Sequence, residues 1–174
     1  GATLAPDRKG VAGKAYSLNG VDNRIDVPES VLPPTEDEFT MSVWVLLRNY
    51  GGKIFHKGSV NGEAVIASSG TGRIDFGPKL ASGGWQIVEG AIIPKNKFVH
   101  IVGTYKKGGK VALYIDGVLV NSLVPPNSSI WVNSGYSSAI GTLVILTLNA
   151  YVLLKYFLCR SADPTKILSS MYRA

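Results

Sequence analysis

Apolar and polar positions alternate along this chain in short runs, broken by turn residues about every ten positions. The cleanest run is 39–47. Phe39, Met41, Val43, Val45 and Leu47 share one face, while Thr40, Ser42, Trp44 and Leu46 share the other. Both faces turn apolar toward its end, which predicts a central strand packed on two sides with Trp44 in the core. Residues 98–105 and 111–115 also alternate. They are joined by Lys106-Lys107-Gly108-Gly109 and closed by Asp116-Gly117, the signature of a hairpin. Shorter strands are predicted at 13–18, 23–27, 53–56, 64–67, 73–76, 86–88 and 118–124. The turns between them include Asn19-Gly20, Gly51-Gly52, Asn61-Gly62, Gly70-Thr71-Gly72 and Ser82-Gly83-Gly84. Such spacing predicts an antiparallel all-β sandwich.

Residues 139–159 approach the length and hydropathy of a membrane-spanning helix. They also carry Thr142, Thr147, Asn149 and Lys155, with β-branched and aromatic residues filling much of the rest. Two buried strands broken near Leu148-Asn149-Ala150 are therefore expected, and no membrane span. Near the end, Asp163 is placed to cap a helix, with Pro164 at its first position. Ile167, Leu168 and Met171 fall on one face, which predicts a short C-terminal helix. Neither a linker nor a repeat divides the chain, so residues 1–174 are read as one domain.

Composition sharpens this picture. An apolar content of 45% is ample for a core and excludes disorder, and 20 Gly with 9 Pro suit frequent turns. A net charge of +6 favours anionic partners, or marks a soluble surface with a modest basic bias. Cys159 is the one cysteine, so no internal disulfide forms, and it is read as a small buried hydrophobe. That usage suits a microbial, archaeal or viral surface protein at least as well as a secreted eukaryotic module. The chain begins Gly-Ala-Thr without a signal-like apolar stretch, which is read as a processed or excised segment.

Five segments carry a resemblance. They are Gly13-Lys14-Ala15-Tyr16-Ser17-Leu18-Asn19-Gly20, Phe39-Thr40-Met41-Ser42-Val43-Trp44-Val45 and Ile54-Phe55-His56-Lys57-Gly58. The hairpin holding His100-Ile101-Val102-Gly103-Thr104-Tyr105 and Leu113-Tyr114-Ile115-Asp116-Gly117 is the fourth, and the close from Arg160 to Tyr172 is the fifth. In this order they resemble the laminin-G-like branch of the concanavalin A-like lectin/glucanase superfamily. The resemblance implies a two-sheet antiparallel jelly-roll sandwich with a short C-terminal helix, a fold that more often binds than cuts. It also implies a structural calcium, although the family's usual aspartate before the last strand falls on Leu153 and Asn19 stands where aspartate is usual. Asp22, Asn23 and Asp26 remain as candidate metal ligands, or as ordinary turn and strand-end residues.

Hydrolysis in this fold needs paired carboxylates at alternate positions of one strand. No such spacing is present. Glu36, Asp37 and Glu38 are consecutive, and Glu63 and Glu89 lack sequence partners, so no enzyme is expected. His100 is assigned to packing and hydrogen bonding, and His56 to a polar tip at a sheet edge. For sugar binding the candidates are Trp85 with Gln86, and Trp131 with Asn133 and Tyr136, in polar loops; either indole could instead plug the end of the core. Lys95, Lys97, Lys106, Lys107 and Lys110 flank one strand as a candidate polyanion surface, or simply keep hairpin tips soluble. No aromatic platform is interleaved with them, which argues against nucleic acid. The expected function is a non-catalytic carbohydrate-binding or adhesion module at a cell or virion surface, taking a glycan or acidic polysaccharide. The alternatives are a coat or surface-layer component contacting other protein subunits, and then a glycoside hydrolase.

Overall fold

The computed structural model describes residues 1–28, 37–58, 62–132, 138–142 and 150–153. Every regular element among them is a strand. The chain opens with β1 (Thr3–Ala5), β2 (Ala15–Leu18), β3 (Ile25–Val27) and β4 (Glu38–Leu47). It continues through β5 (Gly52–Lys57), β6 (Ala64–Ser68), β7 (Arg73–Leu80), β8 (Gly84–Trp85) and β9 (Val88–Ile92). The last are β10 (Phe98–Lys106), β11 (Val111–Ile115), β12 (Val118–Leu123), β13 (Ser138–Thr142) and β14 (Ala150–Leu153). One sheet runs β1-β2-β14-β4-β10-β11-β12; the other runs β3-β13-β5-β6-β7-β8, with β9 also paired to β7. All pairings are antiparallel. The result is the expected two-sheet sandwich. The expected C-terminal helix and Cys159 lie outside the described residues.

The long apolar stretch does supply two strands, and they part company. Ser138–Thr142 pairs with β3 and β5 in one sheet, while Ala150–Leu153 pairs with β2 and β4 in the other. No helix among the described residues is long and apolar enough to cross a membrane. β7 runs on past Phe76 through Pro78 to Leu80, further than alternation alone suggests. Pro78 still offers its carbonyl to the Gln86 amide at 2.9 Å, so the ladder survives its missing donor. The predicted strand at 86–88 divides into β8 and β9 around Gln86-Ile87, where the chain presses against Gly77: a Cβ there would lie 2.1 Å from the Gln86 carbonyl oxygen.

The core holds the anticipated face of β4, with Phe39, Met41, Val43, Val45 and Leu47 all buried. It is joined by Ile101, Tyr105 and Leu113 from the same sheet and by Ile54, Ile66, Ile74, Phe76 and Ile140 from the opposite one. Gly103 explains its place in the sequence pattern. The Phe76 ring packs on its bare backbone, and an added Cβ would lie 2.2 Å from that ring. Phe76 also meets Phe39 edge-on at 6.2 Å, and Phe39 meets Tyr105 at 5.6 Å.

Two expectations are corrected. Trp44 is not part of the core cluster: it is half-buried on the outer face of the first sheet, because the parity that buries Val43 and Val45 turns it away. There it stacks on His100 at 4.7 Å and 11°, with the Arg8 guanidinium 4.4 Å from its ring. His100 does pack and bond as expected, fully buried with its Nε2 2.9 Å from Ser42 Oγ. His56 is not an edge tip. It sits on the interior strand β5 between β13 and β6, only 7% exposed, and its Nδ1 donates to the Gly58 carbonyl at 2.7 Å.

Glycine is required at 103, so Gly103→Ala should lower stability by roughly 1–3 kcal/mol through overpacking, read from the urea midpoint. Acid should act through the histidines. Burial pushes the His100 pKa from 6.5 down to about 4, with Arg8 adding to the shift and Asp116 opposing it. Burial lowers that of His56 as well. The unfolded chain then takes up protons near pH 6.5 that the folded chain refuses, so this stability is complete above pH 6.5 and is lost as pH falls toward 4. For His100 the loss approaches ~3 kcal/mol, and His100→Gln should flatten that part of the curve.

Candidate functional site

The outward parity of β7 builds the site. Ile74, Phe76 and Leu80 point into the core, so Lys79 points out. Across the β7–β8 ladder Lys79 stands directly opposite Trp85, which places both side chains on the same outer face. On the other side of β7, Trp131 N donates to the Lys79 carbonyl at 2.9 Å, and the Lys79 ammonium lies 3.8 Å from the centre of the Trp131 ring. Trp85 and Trp131 thus stand on opposite sides of Lys79 along the sheet, Trp131 in cation–π contact with its ammonium and Trp85 37% exposed. Sequence separation of 46 residues hid the placement of Trp85 and Trp131 about one lysine, and Lys79 was missed because the predicted strand stopped at Phe76.

The flanking loops are held by their own polar groups. Gln86 Nε2 donates to the Gly83 carbonyl at 2.9 Å, so this amide shapes the turn that presents Trp85. The segment before Trp131 is tied to its surroundings by Ala81 N to Ser129 O at 3.0 Å, Ser82 N to Ser128 Oγ at 3.0 Å and Tyr105 OH to Ser128 O at 3.1 Å. Asn133 and Tyr136 lie outside the described residues.

The five candidate lysines do not form one patch. Lys95 and Lys97 precede β10, while Lys106, Lys107 and Lys110 follow or end it, about 30 Å away at the usual rise per residue. Lys95 lies over the Tyr50 ring at 4.7 Å. Lys106 pairs with Glu38 at 3.7 Å, and Lys107 with Asp37 at 3.2 Å. Lys107 also bonds Ser129 Oγ at 3.1 Å, which brings this turn against the loop that carries Trp131. The lysines at the far end of β10 therefore belong to the same end of the sandwich as the indoles.

The residues proposed for calcium do not fit a hard cation. Asn19 Oδ1 accepts the amides of Val21, Asp22 and Asn23 at 3.0, 3.2 and 3.1 Å, a turn organised by its own side chain. Asp22 Oδ1 accepts from the side-chain amides of Asn19 at 2.6 Å and Asn23 at 3.1 Å, and Asp26 pairs with Arg24 at 2.9 Å. Calcium needs six to eight converging oxygens; here the oxygens face hydrogen-bond donors, and no cluster of three acidic, His or Cys groups exists among the described residues. The carboxylates that sequence left without partners also find cations. Asp75 and Glu89 stand opposite each other on β7 and β9, and Arg73 clamps both, at 2.9 and 3.0 Å. Glu63 pairs with Lys57. Millimolar calcium or a chelator should accordingly leave the thermal midpoint unchanged within about 1 °C, since a ligand bound only to the folded state would raise it.

A family model described as the concanavalin A-like lectin/glucanases superfamily matches residues 19–144. No curated protein matches the sequence. Among solved structures, the binding domain of Paraclostridial mosquitocidal protein 1 is 16% identical with a TM-score of 0.73, over 99% of this chain and 46% of that one. A structure of botulinum neurotoxin type C, which gets into cells through interaction with two ganglioside molecules, is 16% identical with a TM-score of 0.75, over 99% and 44%. The binding domain of botulinum neurotoxin DC, in complex with rat synaptotagmin II, is 14% identical with a TM-score of 0.73, over 99% and 45%. At these identities the likeness is one of fold, and the chain spans a little under half the length of each. With the hairpin motif, the sandwich and a family match over most of its length in agreement, the chain belongs to the concanavalin A-like lectin/glucanase superfamily.

Proposed function

We propose that this chain is a non-catalytic carbohydrate-binding module that seats an acidic glycan around Trp85, Lys79 and Trp131. One observation carries the reading: a lysine whose ammonium lies on the Trp131 ring and whose ladder partner is Trp85, an indole exposed at 37%, on an otherwise firmly tied rim. A pyranose ring lays its C–H face on an indole, while an ammonium supplies positive charge and three donors to a sugar carboxylate. Lys107, bonded to the Trp131 loop, adds charge of the same sign at that end. Neurotoxin structures of the same fold support a sugar ligand, through the two gangliosides of type C and a DC binding domain in complex with SialylT. The Arg73 clamp on Asp75 and Glu89 fits a binding role better than hydrolysis, which needs one carboxyl to give up a proton. Such a module serves attachment at an extracellular or particle surface.

Calorimetry with sialyllactose and lactose, at low and high salt, tests the reading. Sialyllactose should bind more tightly, and weaken as salt rises. Trp85→Ala should cost both sugars ~10-fold or more in affinity, about 1.4 kcal/mol. Lys79→Gln should erase the preference for the acidic sugar while lactose binding persists. Binding to no glycan, with concentration-dependent self-assembly instead, would move the reading to a coat or surface-layer component. Turnover of a glycan would overturn both.

A further inference from the structure

The Lys57 ammonium and the Glu63 carboxylate lie 3.5 Å apart with side chains 3% and 2% exposed. They occupy the end of the sandwich where β5 gives way to β6. A buried ion pair is a poor source of net stability. Removing both charges from water costs about what their attraction returns, and well-packed apolar replacements are often neutral. What such a pair supplies is a single geometry.

That geometry is needed here. The β5–β6 ladder shifts register between Lys53 and Phe55 and then runs regularly to its end at Lys57. A slip of one residue would turn each side chain to the opposite face. The ion pair pins the end of the ladder, where Lys57 stands opposite Ala64. Gly58 closes tightly on the same spot with a φ of 77°, and a Cβ there would lie 3.3 Å from Glu63 N.

A chain of backbone bonds leads from the pair to the outer face. Glu63 N donates to the Lys57 carbonyl at 2.7 Å, Lys79 N donates to the Glu63 carbonyl at 2.8 Å, and Trp131 N donates to the Lys79 carbonyl at 2.9 Å. Moving the Glu63 backbone therefore moves Lys79, and Lys79 carries Trp131 with it. We infer that Lys57 and Glu63 are positioning residues which, from inside the sandwich, set the relative placement of Lys79 and Trp131 on the outer face. The pair touches no ligand, and its bearing on sugar affinity rests on the proposed glycan face.

The test is the double replacement Lys57→Met with Glu63→Leu, which removes both charges at similar volume. Expected are a near-native thermal midpoint, displaced Trp131 and Trp85 indole N–H resonances, and amide exchange at Lys79 and Trp131 faster by ~10-fold while central amides such as Val43 and Ile101 stay protected. Sialyllactose affinity should fall by a similar ~10-fold. Indole resonances and Lys79 and Trp131 exchange matching the parent protein would overturn the inference. Uniformly faster exchange in every strand would overturn it too, since the pair would then only stabilise the sandwich as a whole. If the double variant does not fold, Glu63→Gln is read by the same resonances and amides. Should the parent bind no sugar, the glycan reading fails, and the resonances and exchange rates still decide the role of the pair.

Discussion

Two sheets share one core here because a ring on one meets a gap in the other. Phe76 rises from β7 onto the bare backbone of Gly103, with Phe39 and Tyr105 closing the sides. Interiors pack at crystal-like density, so this contact sets the spacing of the sheets to within the thickness of a methyl group. It also sets the phase of β7. With Phe76 committed inward, alternation commits Arg73, Asp75 and Lys79 outward, and the surface chemistry of the second sheet follows from a packing decision in the core.

Buried polar groups mark where geometry matters more than apolar burial. His100 lies flat against Trp44 and touches Ser42, while its backbone N–H is bonded to Asp116 Oδ1 at 2.9 Å. Asp116 holds a φ of 50°, a conformation that non-glycine residues rarely adopt, and its own N–H returns a bond of 2.8 Å to the His100 carbonyl. The hairpin turn and the stacked outer face are thus one hydrogen-bonded unit. Lys57 and Glu63 do the comparable task at the opposite sheet, joining the β5–β6 end to β7. Both arrangements exchange desolvation cost for a defined register.

Much of this architecture was legible as period-two alternation. Residues 39–47 and the 98–115 hairpin were legible as strands because period two follows from the pleat, although β10 is buried on both faces from Val99 to Tyr105. The apolar stretch does yield two strands, but Leu148 and Asn149 of the expected break lie outside the described residues and Ala150 opens β14, and nothing in an apolar run says which sheet each half joins. Trp44 looked like core on hydropathy, but hydropathy carries no phase, and the phase of β4 turns it outward. The candidate metal residues had suitable oxygens; their occupation by the amides of Asn19 and Asn23 and the guanidinium of Arg24 depends on how the turn closes.

The site divides in the same way. Local order along the chain already indicated that Trp85 and Trp131 neighbour polar turn residues, and that the lysines flank β10, because turn chemistry and charge are properties of neighbouring residues; that Trp85 itself lies in strand β8 was not legible there. That the two indoles flank Lys79, that Lys107 joins their end and Lys95 does not, and that Glu63 reaches Lys79 through its backbone are consequences of folding. Each joins residues far apart in sequence across a ladder or a loop, and such pairings are set by strand order and register, quantities that short-range pattern does not encode.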